Sequence, residues 1–285
     1  MIDPSIISIG LGLFVGILLA ITGAGGTILS LPLLVFSLNL SMVSAAPIAL
    51  LAVMLSASVA TAIGLREGIV RYKAASLLAA CGVVLAPVGV WIAQLLPEQV
   101  LTILFATVLV MVAWRAFQKS SIQQGVFQTS TCRNLQDENK PDPTCIINPA
   151  TSKLFWTAPC AKRLIFTGGL AGFLSGLLGV GGGFIIVPTL HQVSNLETKM
   201  VVATSLAVIA IVSMASALSY AGYAGINWHI AIPFTSGMLV GMLLGRLVAD
   251  KISSQTSQRV FALLVSLIAI AFVIKTLLAS TKLFF

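Results

Sequence analysis

Two glycine clusters inside apolar sequence are the features of this chain best suited to chemistry. The first glycine break is Gly23-Ala24-Gly25-Gly26, and the second is Gly179-Val180-Gly181-Gly182-Gly183. Clustered glycines interrupt a helix and leave backbone N–H groups unpaired, while the helix that follows presents the positive end of its dipole. Both effects favour a negative ligand. We therefore expect these glycines to bind a small anion, although small residues in membrane helices also serve close packing.

The two breaks lie in a duplicated unit. Pro188 lies 156 residues after Pro32, and the two prolines follow Gly182 and Gly26 by six residues each. At the same offset Gly12, Gly16, Gly23, Gly25 and Gly26 coincide, without a gap, with Gly168, Gly172, Gly179, Gly181 and Gly182. Such a match indicates an internal repeat, and paired interruptions of this kind are typical of a transporter's substrate site. Because proline ends or kinks a helix, Pro32 and Pro188 are predicted to contribute to the breaks. The glycine pairs spaced four apart, Gly12 with Gly16 and Gly168 with Gly172, are instead expected to pack helices.

Small hydroxyl side chains near the breaks add hydrogen-bond donors for an anion. Thr22 and Thr27 flank the first break, and Thr204 and Ser205 form a pair further along the second repeat. Hydroxyls in membrane helices often bond only to their own backbone, so a purely local role stays open for each of them.

Two ionisable residues are further candidates. His191 closely follows the second break and is a candidate proton carrier, but a histidine at a segment end is also an ordinary interfacial anchor. Arg246 is a cation placed well inside an apolar pattern, where it could attract anions or extend its charged end to the membrane surface.

Catalytic, cofactor and metal sites are not expected. The two histidines lack the partners of a catalytic triad, and the eight acidic residues lie near segment ends or in loops, which argues against a carboxylate-driven proton pump. Cys132, Cys145 and Cys160 could hold a metal, but zinc prefers four closely spaced ligands, so reduced thiols are the expected state. Cys81 is expected to pack in an apolar helix.

The composition is that of an integral membrane protein. Of 285 residues, 58% are hydrophobic and 8% charged, and the mean hydropathy is +1.06. These values argue against a soluble enzyme. The net charge of +8 does not indicate nucleic acid, because the basic residues sit at segment ends and in one loop, as topology signals do. No cleavable signal peptide is expected.

Eight apolar segments predict an all-α polytopic fold of two homologous repeats, each with four segments. The first and fifth segments, 5–38 and 164–193, are too long for one crossing, since 5–38 would extend roughly 50 Å as a straight helix. We expect each to break at its glycines. If both then turn back, all Lys and Arg except Lys275 and Lys282 lie on one side of the membrane, which the positive-inside rule favours. Inverted-topology repeats follow from that choice, whereas single crossings would give parallel repeats. The other six segments run approximately 42–64, 74–96, 99–117, 199–222, 229–249 and 259–279.

These segments divide the chain into three parts. Residues 1–118 form the first membrane repeat, 119–162 a cytoplasmic linker, and 163–285 the second repeat. The linker is rich in polar residues and proline, and its later part, 146–157, predicts a small β-hairpin around a turn-forming cluster.

The paired glycine motifs, Val202-Ala203-Thr204-Ser205, and the steps Gly68-Ile69 and Gly225-Ile226 resemble the sulfite exporter TauE/SafE family of membrane permeases. The resemblance covers both apolar halves and excludes the 118–162 insert. It implies a prokaryotic inner-membrane permease for small anions such as sulfite or sulfoacetate. The chain departs from its own repeat where Thr27 stands opposite Gly183, and the cysteine-bearing insert is not general in the family.

The leading functional prediction is an anion permease that works by alternating access and exports its substrate. Its expected partners are a small anionic substrate and the lipid bilayer. No cofactor or nucleic acid is expected, and a homodimer stays open. The alternative is a membrane-embedded assembly or sensor component that docks a soluble partner through the 119–162 loop.

Overall fold

The computed structural model describes residues 4–23, 25–126, 158–193, 198–222, 225–249 and 263–272. These residues are helical throughout, apart from short turns, and contain no strand. The helices are α1 (Pro4–Thr22), α2 (Gly25–Ser37), α3 (Met42–Arg66), α4 (Tyr72–Leu95), α5 (Glu98–Val126), α6 (Ala158–Leu178), α7 (Gly183–Val193), α8 (Thr198–Ala221), α9 (Trp228–Ala249) and α10 (Leu263–Phe272). The all-α fold predicted from the apolar segments is confirmed.

Several helices match the dimensions of a lipid bilayer. Within the described ranges, α1, α3, α4, α8 and α9 are long and apolar enough to cross a membrane, while α2 and α10 are shorter apolar helices. A helix satisfies its backbone hydrogen bonds internally, which is why it can cross hydrocarbon. The chain is therefore a multi-pass membrane protein.

Both long apolar segments divide at their glycines. The first gives α1 and the half-helix α2, and the second gives α6 and the half-helix α7. Gly23 and Gly179 occupy the same position in the two repeats, and both take a positive φ, 72° and 69°. This left-handed conformation is readily available to glycine and ends the preceding helix.

Glycine also sets how two pairs of long helices pack. The carbonyl oxygen of Phe234 would collide with a β-carbon on Gly12, and that of Met238 with one on Gly16, so α1 runs parallel to α9 in direct backbone contact. Helices α6 and α4 pack in the same way, because a β-carbon on Gly168 of α6 would collide with the backbone of Leu78 of α4. These contacts agree with the packing role predicted for the glycines spaced four apart.

The two repeats contact each other at equivalent positions. A β-carbon on Gly23 would meet Val202, and one on Gly179 would meet Ala46, and both pairs are related by the same 156-residue offset. The first helix of each repeat packs on the fourth helix of the other, α1 on α9 and α6 on α4. The repeats are thus intertwined, and neither forms a separate membrane domain.

The central helices α3 and α8 run antiparallel. Gly64 near the end of α3 lies beside Ala203 near the start of α8. Deeper in the molecule, Val53 of α3 and Ile209 of α8 both lie against Gly181. The half-helices α2 and α7 pack beside this pair, with Leu31 of α2 close to Gly179.

Helices extend into both ends of the predicted linker. Helix α5 continues to Val126, beyond the boundary set at 118, and α6 begins at Ala158, before the boundary set at 163. Lys, Ser and Gln do not stop a helix, so both helices extend into polar sequence while the predicted division of the chain stays a prediction. The predicted 146–157 hairpin, Cys132 and Cys145 lie outside the described residues, as does the side chain of Cys160.

Candidate functional site

The second glycine break has backbone amides without acceptors. Gly179, Gly181 and Gly182 all take a positive φ, between 66° and 73°, and the four residues 179–182 are buried. The amide of Gly179 donates to the carbonyl oxygen of Ser175 at 2.9 Å, which closes α6. Within the described residues, no acceptor pairs with the amides of Val180, Gly181 or Gly182. Buried amides normally find a partner, so this row of donors is available to a ligand.

Ser213 of α8 directs its hydroxyl at this break. Its oxygen lies 3.0 Å from the position that a β-carbon on Gly181 would take. The side chain is 0% exposed, and its hydroxyl has no hydrogen-bond partner within the described residues. The side chains of Val53 and Ile209, at 3.3 and 3.6 Å from the same position, close the apolar side. An unpaired hydroxyl beside unpaired amides makes a compact polar site inside an apolar core.

Sequence reasoning missed Ser213. Ala57 stands at the equivalent position of the first repeat, so the repeat comparison did not mark it. Serines elsewhere in α8 bond to their own helix: Ser205 donates to Val201 O at 2.7 Å, and Ser216 to Val212 O at 3.1 Å. Its free hydroxyl became visible only in three dimensions.

The first glycine break is closed by a side-chain cap. The amide of Gly25 donates to Thr22 Oγ1 at 2.8 Å, and the same hydroxyl donates to Leu18 O at 2.6 Å. Thr22 therefore joins the end of α1 to the start of α2, as an N-cap does. Leu178 occupies the equivalent position before the second break and has no hydroxyl. The two breaks differ accordingly: one amide of the first break is capped by Thr22, and the second break has no equivalent side-chain cap.

The second break is also longer. Helix α2 begins at Gly25, whereas its counterpart α7 begins at Gly183, two residues later than the repeat offset predicts. The additional non-helical residues, Gly181 and Gly182, take the left-handed conformation, as Gly179 does. A longer non-helical stretch exposes more amides to a ligand.

The other predicted hydroxyls occupy different surroundings. Thr27 is fully buried in the first turn of α2. Thr204 Oγ1 accepts from the amide of Arg71 at 3.1 Å, which ties α8 to the start of α4. Ser205 is buried and bonded to its own helix. For all of these hydroxyls, contact with substrate stays a prediction.

Neither proline ends its helix. Pro32 lies inside α2 and Pro188 inside α7, so the predicted helix breaks at these two residues are misplaced. A proline within a helix removes one hydrogen bond and strains its own turn, but the half-helices continue past it. The interruptions lie at the glycines alone.

Arg246 is held by an ion pair. Its Nη2 lies 2.7 Å from Glu67 Oε2, and its Nη1 donates to Ala60 O at 3.4 Å. The two side chains are 30% and 49% exposed, which is consistent with a position near the membrane surface.

His191 lies in α7, and its side chain is outside the described part of the chain. Over that part, no group of three or more His, Cys, Asp or Glu side chains could hold a metal.

Comparison with known proteins identifies the family. The family model described as "Sulfite exporter TauE/SafE" matches residues 8–272. The chain belongs to the TauE/SafE family. Both intertwined repeats and both glycine breaks lie within the matched region, and the family prediction made from the glycine motifs is confirmed.

Individual members of the TauE/SafE family agree with this assignment. A "Probable membrane transporter protein" of Xylella fastidiosa strain 9a5c is 29% identical over 273 residues, covering 94% of this chain and 95% of that protein. A protein of the same name from Haemophilus influenzae is 30% identical over 112 residues, or 37% and 42% of the two chains. "Probable membrane transporter protein YunE" of Bacillus subtilis is 29% identical over 99 residues, or 35% and 36% of the two chains. No solved structure matches. The chain is thus a membrane transporter of the TauE/SafE family.

Proposed function

We propose that this transporter moves a small anion, a sulfur oxyanion or organosulfonate such as sulfite or sulfoacetate, and that the anion binds at the second glycine break. The carrying observation is the row of unpaired amides at Val180, Gly181 and Gly182 beside the unpaired hydroxyl of Ser213. The matched family model is named for sulfite export, and a sulfite or sulfonate group has three oxygens that accept hydrogen bonds.

The chemistry of the break favours an anion over a cation or a neutral solute. Backbone N–H groups and a hydroxyl are donors, and the start of α7 adds the positive end of a helix dipole. Hydrogen bonds to a charged acceptor are roughly twice as strong as neutral ones. Because burying an isolated ion is costly, several converging donors are needed, and the second break supplies them without a charged side chain.

Alternating access has a structural basis in the repeat relationship. Helices α3 and α8 are equivalent in sequence and run antiparallel, as Gly64 beside Ala203 shows. A twofold axis in the membrane plane makes equivalent helices antiparallel, whereas an axis along the membrane normal makes them parallel. The arrangement supports inverted repeats that exchange roles between inward and outward states.

The buried state of the break fits an occluded conformation in this cycle. Gly181 and Gly182 are covered by α3, α6 and α8, through Val53, Ala171 and Ser213. An anion reaches the amides only when these helices separate.

We place the protein in the inner membrane with the 119–162 loop in the cytoplasm, as the charge distribution favours. The proposed direction of transport is outward.

Flux measurements with the purified full-length protein test the proposal. Proteoliposomes are loaded in turn with labelled sulfite, sulfoacetate, a carboxylate and a monovalent cation, and release is followed with empty liposomes as the blank. We expect release of the sulfur anions above the blank and none of the cation. Cation flux without anion flux contradicts the proposal. Absence of any flux favours the alternative, in which the 119–162 loop docks a soluble partner.

A further inference from the structure

Arg71 is a partly buried arginine whose guanidinium has no carboxylate partner within the described residues. It precedes α4 and is partly buried. Its Nη2 lies 3.5 Å from Met200 Sδ, a weak acceptor, and its Nε is buried with no partner within the described residues. Arginine is always charged in proteins, and a buried charge needs a counter-charge or strong acceptors. The described residues supply Arg71 with neither.

The surroundings make this position unusual for a cation. Met200 lies in the first turn of α8, where the helix dipole is positive and disfavours another positive charge. The equivalent helix α3 shows the ordinary arrangement, because Glu98 Oε1 accepts from the amide of Met42 at 3.0 Å. Among the described residues, one helix start thus has a carboxylate of the protein beside it, while the other has Arg71. An external anion is the group that reconciles the second arrangement.

Other ion pairs do not supply that anion. Glu67, which lies four residues before Arg71, pairs with Arg246 at 2.7 Å. Arg71 is itself fixed in position, because its amide donates to Thr204 Oγ1. The guanidinium is therefore held by the backbone and left free at its charged end.

The position lies beside the transport machinery. Thr204 follows Val202 by two residues on α8, and Val202 contacts Gly23 of the first break. A solute released from the helix breaks toward the α3–α4 turn would meet Arg71 at this end of the molecule. On the opposite end, Asn227 stands at the repeat-equivalent position of Arg71 and carries no charge.

We propose that Arg71 is a second anion-binding site, which takes an oxyanion through its guanidinium at the mouth formed by α4 and the start of α8. The ligand class is an oxyanion with two oxygens for a forked contact. Its source is the transported solute, and an anionic lipid headgroup shares this chemistry. The assignment of the solute depends on the proposed anion transport, whereas anion binding by Arg71 does not.

Transport measured separately from each side of the membrane distinguishes the Arg71 site from the site at the second glycine break. Sulfite uptake is measured in right-side-out and inside-out membrane vesicles for wild type, Arg71→Gln, Arg71→Lys and the control Lys73→Gln. Lys73 is exposed and two residues away, so the control removes the same charge from the same end. We expect R71Q to raise KM about tenfold or more from one side only, with R71K intermediate and K73Q unchanged. An R71Q KM equal to wild type from both sides overturns solute binding at Arg71.

Binding measurements on the purified full-length protein cover the remaining outcomes. In lipid-free detergent, sodium sulfate is expected to raise the melting temperature of wild type more than that of R71Q, with sodium gluconate at equal ionic strength as the control. Equal sulfate shifts overturn anion binding at Arg71. An R71Q effect seen only in nanodiscs that contain phosphatidylglycerol, and absent in phosphatidylcholine, assigns the site to lipid and overturns the solute. If wild type transports no sulfite, the transport proposal fails and the sulfate comparison still decides for Arg71.

Discussion

The hydroxyl oxygen of Ser213 lies 3.0 Å from the point where a β-carbon would stand on Gly181. Both residues are buried, and within the described residues neither the hydroxyl nor the Gly181 amide has a hydrogen-bond partner. An apolar core tolerates unpaired polar atoms only at a cost of about 1–3 kcal/mol each. Under the proposed function, a bound anion accepts hydrogen bonds from both of them.

Replacing Ser213 by Ala should separate function from stability. The change removes an unpaired buried hydroxyl, so we expect a melting temperature equal to or above that of wild type. The same change removes a donor to the anion and should raise KM for sulfite about tenfold. Ser219→Ala is the matched control, because the Ser219 hydroxyl on the same helix is already bonded to Ala215 O at 2.8 Å. A wild-type KM in S213A would remove Ser213 from the site.

The cap at the first break should behave as a structural element. Thr22→Val keeps the side-chain shape but deletes the oxygen that accepts from Gly25, and we expect it to cost about 1 kcal/mol of stability. Sulfite KM for the folded protein should stay unchanged. A higher KM at undiminished thermal stability would instead show that Thr22 contacts the substrate.

Backbone contact between α4 and α6 should tolerate no side chain. The carbonyl oxygen of Gly82 would collide with a β-carbon on Gly172, so Gly172→Ala should lower stability by roughly 1–3 kcal/mol. Gly10→Ala is the control, since no atom lies within 4 Å of its β-carbon position. Melting temperatures measured side by side decide the point, and equal values would contradict the described packing.

Inverted repeats place two equivalent turns on opposite faces of the membrane. Arg66→Cys and Asn227→Cys are made as separate variants in a background without the four native cysteines. A membrane-impermeant maleimide should label the two variants from opposite sides of the membrane. Both positions are exposed ends of the helical hairpins α3–α4 and α8–α9. Labelling of both from the same side would favour parallel repeats and contradict the proposed inversion.

The broken helices could be predicted from the sequence because glycine clusters leave a strong local signal. Matching Gly23 with Gly179 marked both breaks, and the structure confirms an interruption at each. The difference between them depends on single hydrogen bonds: Thr22 caps the first break, whereas Leu178 cannot cap the second. A repeat comparison emphasises what the halves share, so it does not reveal the asymmetry on which the proposed ligand site at the second break is based.

Ser213 and Arg71 lay beyond sequence reasoning for a different reason. A serine in an apolar helix ordinarily bonds to its own backbone, and an arginine at a helix start ordinarily faces water or a headgroup. What distinguishes them is that Ser213 Oγ and Arg71 Nε have no hydrogen-bond partner within the described residues, which depends on the tertiary packing of α3, α4 and α8 around them. No local pattern encodes such an absence.

The most direct test of the central claim compares Gly181→Ala with Gly68→Ala. Both glycines have nearly the same φ, +73° and +69°, so alanine costs each backbone roughly 1–2 kcal/mol. Only at Gly181 does the new methyl group enter the space between the amides and Ser213, since no atom lies within 4 Å of the β-carbon position at Gly68. With sulfite flux measured per folded protein in proteoliposomes, we predict that G181A loses at least about tenfold and G68A keeps the wild-type rate. Equal, wild-type flux in both variants would contradict anion binding at the second glycine break.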